Sequence, residues 1–174
     1  TLTINDAYGN AVPSPSTFTV NLSGGGAGSF YLASDCASGA TSTTSFTTSQ
    51  NSTLVYFKDN LAQSLTLGFA DATSALSSAS RSLTVNPSVA TKLVIGGASP
   101  INAGACNPYT ITSKDAYGNA SDVTTNVIAD LTGAGAGAFY SESTCTSTQS
   151  TAQISSGLHQ TTVYFKDTAA ANHT

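Results

Sequence analysis

Two carboxylates head the same five-residue motif, Asp6-Ala7-Tyr8-Gly9-Asn10 and Asp115-Ala116-Tyr117-Gly118-Asn119. Carboxylate and amide oxygens are hard-cation ligands by type, so Asp6, Asn10, Asp115 and Asn119 are the calcium candidates of this chain. One carboxylate and one amide on a single turn are too few unless Asp122 or a backbone carbonyl joins them. The competing reading is that Asp and Asn bond the backbone of their own turn, with Gly and Asn tolerating positive φ. That second reading is preferred, and neither a metal nor a cofactor is expected.

Three cysteines carry the next chemistry. Cys36 and Cys145 lie 109 positions apart, the same displacement as the two Asp-Ala-Tyr-Gly-Asn motifs, while the counterpart of Cys106 would fall four positions before Thr1. The expectation is one disulfide per complete unit, Cys106 to Cys145, with the partner of Cys36 outside this chain. Zinc is the alternative. It lacks ligands, because His159 and His173 are the only histidines, neither stands at a ligand spacing from a cysteine, and no Cys-x-x-Cys occurs.

Catalytic patterns are sparse. Gly133-x-Gly135-x-x-Ala138 is a loose dinucleotide fingerprint, but it runs into Phe139-Tyr140-Ser141, a strand-like stretch where a helix would be needed to aim N–H groups at a pyrophosphate. Glu142 is the only Glu, and there is no Gly-x-Ser-x-Gly. No enzymatic activity is expected. Tyr31, Tyr140, Tyr56 and Tyr164 recur in both halves and are the candidates for stacking on a sugar ring, against the plainer reading that they pack between sheets.

The elements that must position these residues are themselves duplicated. Phe30-Tyr31 matches Phe139-Tyr140 at 109 positions, and Val55-Tyr56-Phe57-Lys58-Asp59 matches Val163-Tyr164-Phe165-Lys166-Asp167 at 108, so a one-residue deletion aligns the copies. A period of that length is domain-sized, well beyond the roughly 20 to 50 residues of solenoid repeats. Asn86-Pro87-Ser88 punctuates the boundary, giving domains at 1–86 and 87–174. By the same alignment the first domain lacks its first strands and the second its last, so both terminal units read as truncated.

Alternation at period two dominates. Phe18, Val20 and Leu22 share a face opposite Thr19 and Asn21; Leu65, Leu67 and Phe69 repeat the pattern, as do Leu83 and Val85. Val163 and Phe165 face inward beside outward Tyr164 and Lys166, and Lys92 to Ile95 reads as the strand that opens the second copy. The Gly-rich stretches at 24–28 and 133–137 are turns leading into Phe-Tyr. About seven short strands per complete unit, with regular turn signals, indicate an all-β chain of tandem immunoglobulin-like β-sandwiches.

Composition bounds the partners. Charged residues are 8% of the 174 positions and the net charge is -4, so no basic stripe exists to neutralise phosphates, and neither nucleic acid nor an anionic membrane is an expected partner. No apolar run is long enough to span a bilayer, so no membrane insertion is expected in this segment. Ser and Thr, roughly 30% of the chain, solvate the surface instead. Hydroxyl-rich, charge-poor chains with paired cysteines fit an oxidising, exported setting.

Asp-Ala-Tyr-Gly-Asn, then Phe-Thr-Val-x-Leu and a Gly-rich turn, resembles the bacterial immunoglobulin-like repeats of invasin and intimin type. The resemblance implies a cell-surface or extracellular location and a structural spacer in an adhesin stalk or fibre, with neighbouring repeats of the same polypeptide as its partners. Alternatives are a carbohydrate-binding module using the tyrosines, meeting a surface glycan or receptor, and a filament subunit joined to other copies by strand addition.

Overall fold

The computed structural model describes residues 1–172; His173, weighed above as a zinc ligand, lies outside them. The chain divides into two compact units, Thr1–Asn86 and Pro87–Thr174. Among the described residues there is no helix, and every strand pairing is antiparallel. The molecule is all-β.

Unit 1 comprises β1 (Leu2–Thr3), β2 (Phe18–Ser23), β3 (Ser29–Tyr31), β4 (Thr43–Phe46), β5 (Ser52–Thr53), β6 (Tyr56–Lys58), β7 (Gln63–Asp71) and β8 (Ala79–Val85). A four-stranded sheet runs β4-β2-β7-β8, and two small pairs, β1-β5 and β3-β6, accompany it. Alternation sets the faces: within β2, Val20 and Leu22 are buried while Thr19 and Asn21 are exposed. The core gathers Ile4, Val20, Leu22, Phe30, Phe46 and Leu67, so residues from the large sheet and from both small pairs meet in one apolar layer.

Unit 2 comprises β9 (Lys92–Gly97), β10 (Asn107–Lys114), β11 (Val127–Asp130), β12 (Ala138–Tyr140), β13 (Thr151–Ile154) and β14 (Gln160–Lys166). Its four-stranded sheet runs β12-β14-β10-β9, and β11 pairs with β13. Ile111, Val123, Ala129, Ala152, Ile154 and Val163 form its core. Ile154 and Val163 are fully buried, at 0% exposure.

The repeat is preserved in the pairing itself. Phe18↔Phe46 in unit 1 falls on Val127↔Ile154 in unit 2, and Asn21↔Thr43 falls on Asp130↔Thr151. Likewise Phe30↔Phe57 matches Phe139↔Phe165, and Leu2↔Thr53 matches Ile111↔Thr161. A one-residue slip would turn each strand's apolar set outward, so the shared register follows from the shared inward positions. One difference stands out: β14 is continuous, whereas its counterpart is broken at Leu54-Val55 into β5 and β6.

The Gly-rich turns serve packing. A Cβ on Gly28 would lie 2.4 Å from the Phe57 ring, and one on Gly137 would lie 2.7 Å from the Phe165 ring. Glycine here lets a loop close over an aromatic that also packs on Phe30 or Phe139, with ring centroids at 5.2 and 5.3 Å.

Candidate functional site

Asp115 sits after β10 at the start of its turn, fully buried at 0% exposure. Its Oδ1 accepts the N–H groups of Tyr117 and Asn119, each at 2.9 Å. Its Oδ2 accepts the Asn119 side-chain amide and the Ser88 N–H, also at 2.9 Å each. Burial pushes the Asp115 carboxyl up, but these four donors outweigh it and hold the pKa at about 2. Gly118, at φ 97°, closes the turn in a conformation that strains a residue bearing a Cβ.

Asp6 repeats this arrangement in a more open setting. Its Oδ1 accepts the Tyr8 and Asn10 N–H groups at 2.9 Å, and its Oδ2 takes the Asn10 amide at 3.1 Å. The Asn10 side chain, followed by its backbone N–H, holds Asp6 below the usual carboxylate range. Asn10 and Asn119 therefore turn their amide N–H groups toward the carboxylates. In both turns the Asp oxygens accept N–H groups of their own turn, the capping arrangement expected of Asp and Asn there.

Cys106 and Cys145 form a disulfide with Cα atoms 5.9 Å apart, and Cys36 is free. Cys36 and Cys145 share a conformation that is rare outside glycine, with φ of 48° and 50°. Each also closes a turn to the residue three positions earlier, Cys36 N–H to Ala33 O at 3.3 Å and Cys145 N–H to Glu142 O at 3.1 Å. Glu142 organises the second of these turns. The Ser141 hydroxyl donates to its Oε2 at 2.6 Å, while the Thr146 hydroxyl, the Thr146 N–H and the Ser147 N–H donate to Oε1 at 2.7, 2.8 and 2.6 Å. Led by the Ser141 and Thr146 hydroxyls, these donors hold the Glu142 pKa at about 2. Ala33 occupies the matching position in unit 1.

The four candidate tyrosines form two pairs. Tyr31 lies directly opposite Tyr56, and Tyr140 directly opposite Tyr164. Their neighbours Phe30, Phe57, Phe139 and Phe165 point inward, so alternation puts the tyrosines on the outer face, where all four are half-buried. In unit 2, Pro108 stands opposite Tyr164 on its other side and extends the row. Lys58 and Lys166 share that outer face, their side chains directed away from the core.

His159 precedes β14, and its Nδ1 lies 2.8 Å from Asp122 Oδ1, both side chains well exposed. This pair joins two loops, and the sequence offered no spacing that would reveal it. The Gly133 loop leads into β12, so no helix N-terminus stands behind it for a phosphate. A concavity of about 1020 Å³ on unit 1 is lined by hydroxyls such as Thr19, Thr41, Thr43 and Thr47, with Leu32 and Leu54. None of its lining residues is an acid, a base or a thiol. Among the described residues, no group of three or more His, Cys, Asp or Glu side chains is placed to hold a metal ion.

Compared with family models, curated proteins and solved structures, the chain matches none of them.

Proposed function

We propose that the chain is a non-catalytic spacer: two consecutive immunoglobulin-like sandwich units of a large bacterial extracellular or cell-surface repeat protein, resembling invasin-type adhesin stalks and fibres. The supporting observation is the common cross-strand register of the two units, from Phe18↔Phe46 and Val127↔Ile154 through Phe30↔Phe57 and Phe139↔Phe165. A repeat that keeps its pairing and core while its loops vary is suited to serial mechanical use. In this reading the sheets β12-β14-β10-β9 and β4-β2-β7-β8, brought together through the repeat, would supply the two facing layers of one sandwich unit.

Single-molecule pulling tests this reading. Unit 1 should unfold as one cooperative event, and unit 2 should extend further once its disulfide is reduced. The 39-residue separation of Cys106 and Cys145 corresponds to an added length of roughly 130 Å. Extension with no force peaks would end the spacer reading.

A second reading is favoured by one observation, the side-by-side tyrosines on the outer face of each unit. Tyr140 and Tyr164, flanked by Pro108, make a platform of the kind that stacks on a pyranose. Glycan-array binding abolished by Tyr140→Ala with Tyr164→Ala would support this carbohydrate-binding alternative, and a blank array would remove it.

A further inference from the structure

The strands β9, β10, β12 and β14 contain no Asp or Glu, although the chain carries nine acidic residues and a net charge of -4. Three of its five basic residues, Lys92, Lys114 and Lys166, lie on them. Ile111, Ser113, Val163 and Phe165 are buried, so alternation turns Thr110, Thr112, Lys114, Thr162, Tyr164 and Lys166 to the outer side of this sheet. The row of Tyr140, Tyr164 and Pro108 belongs to the same face.

Register orders the remaining rows. Thr162 lies opposite Thr110, then Gln160 opposite Thr112, and last Lys114 directly opposite Lys92. Lys166, opposite Ala138, closes the other end. Pro108 and Lys114 are six residues apart on β10, which puts the tyrosine row about 20 Å from the lysine pair at ~3.4 Å per residue.

Like charges directly opposite each other on neighbouring strands repel and cost stability. Among the described residues neither Lys92 nor Lys114 is in an ion pair. The fold does not require the second lysine, since Asn5 stands at the position of Lys114 in unit 1. Exposed strand positions of unit 2 do accept acids elsewhere, as Asp130 on β11 shows. An anion seated between the two ammonium groups would turn their repulsion into attraction.

The middle of the face is uncharged, made of hydroxyls and one amide, so the cationic ends are far apart. A chain dense in phosphate or sulfate would leave most of its charge uncompensated there. A sugar chain with a carboxylate on only some of its rings fits better. Its C–H faces meet the tyrosines, its hydroxyls meet Thr110, Thr162 and Gln160, and its carboxylates meet the lysines.

We propose that this face of unit 2 binds an acidic polysaccharide of mixed neutral sugars and uronic acids, with Tyr140 and Tyr164 stacking on a ring and Lys92 with Lys114 holding a carboxylate. The inference rests on the carbohydrate-binding reading above and adds the chemical class of the ligand and the residues that select it.

The test measures binding of the whole chain, disulfide intact, to hyaluronan oligosaccharides, in which a uronic acid alternates with a neutral N-acetylated sugar. The matched probe is the same oligosaccharide with its carboxyls reduced to alcohols. At about 10 mM salt, calorimetry should show the acidic form binding about fivefold tighter, the scale of two exposed ion pairs. At about 0.15 M salt, where the screening length falls to roughly 8 Å, the gap should narrow. Lys92→Gln with Lys114→Gln should remove the preference without lowering the melting temperature, because a repulsion is relieved. Lys58→Gln in unit 1 should change neither, and Tyr140→Ala with Tyr164→Ala should weaken both forms. Equal affinity for the two forms, or a preference that survives in the lysine double variant, would overturn the acidic-ligand assignment and leave the carbohydrate reading standing. Tighter binding of densely sulfated heparin than of hyaluronan would overturn it as well. Binding of none of these probes would end both.

Discussion

The Ser88 N–H donates to Asp115 Oδ2 at 2.9 Å, joining residues 27 positions apart. The Ser121 hydroxyl returns a bond to the Ser88 carbonyl, at 2.5 Å. Together these bonds pin the chain ahead of β9 against the turn after β10, and they explain why Asp115 is buried where Asp6 is not. A buried carboxylate is tolerated only when its lone pairs are met, and here four N–H donors meet them.

Acid should loosen unit 2 through this residue. The folded pKa of Asp115, about 2, lies below the ordinary 3.8, so its contribution is fully present above 3.8 and is lost as the pH falls toward about 2. Glu142 has the same sign, from 4.5 down to about 2. Denaturation midpoints measured across that range should fall, and Asp115→Asn should be less stable at neutral pH with a flatter acid profile. An unchanged profile in the variant would assign the acid response elsewhere.

Core burial predicts an asymmetry between adjacent strands. Ile154 is 0% exposed, so Ile154→Ala should cost roughly 2–5 kcal/mol by urea denaturation. Ile128, at 56% exposure, lies in the partner strand, and Ile128→Ala should stay within about 0.5 kcal/mol. Equal costs would mean that β11 turns Ile128 toward the core in solution, against its outward placement beside Gln153.

The disulfide should matter to one unit only. Closing a loop with a 39-residue separation gives about 4 kcal/mol on the chain-entropy model. Reduction should therefore lower unit 2 by about that amount and leave unit 1 unchanged, read by amide hydrogen exchange unit by unit. A comparable loss in both units would contradict the separation of the two cores.

Glycine turns that close on aromatics should resist substitution. A Cβ at position 137 would lie 2.7 Å from the Phe165 ring and 2.9 Å from the Lys166 carbonyl oxygen. Gly137→Ala should cost roughly 1–3 kcal/mol through forced repacking. Gly96→Ala, with nothing within 4 Å of the added carbon, serves as the control in the same thermal melts.

Much of the strand content is legible because large apolar side chains alternate, as in β2 with Val20 and Leu22 or β14 with Val163 and Phe165. Strands β4 and β13 are not legible. Thr44 and Ala152 are buried there, and small or hydroxylated inward residues carry little hydropathy contrast against the Ser and Thr around them. The break between β5 and β6 is hidden for the opposite reason, since the large apolar pair Leu54-Val55 reads as strand. At the candidate sites, the turn role of Asp115 is legible from local spacing, but its bond to Ser88 and the pairing of His159 with Asp122 depend on tertiary approach. Tyr140 and Tyr164 recur visibly in sequence, yet only the register puts them opposite each other.

The central claim is one pairing register written twice, and cross-strand proton contacts measured by NMR test it directly. Contacts should join Phe18 to Phe46 and Phe30 to Phe57 in unit 1, and, at the repeat-related positions, Val127 to Ile154 and Phe139 to Phe165 in unit 2. A one-residue offset between the units in either pair of strands would turn opposite faces inward and contradict the account.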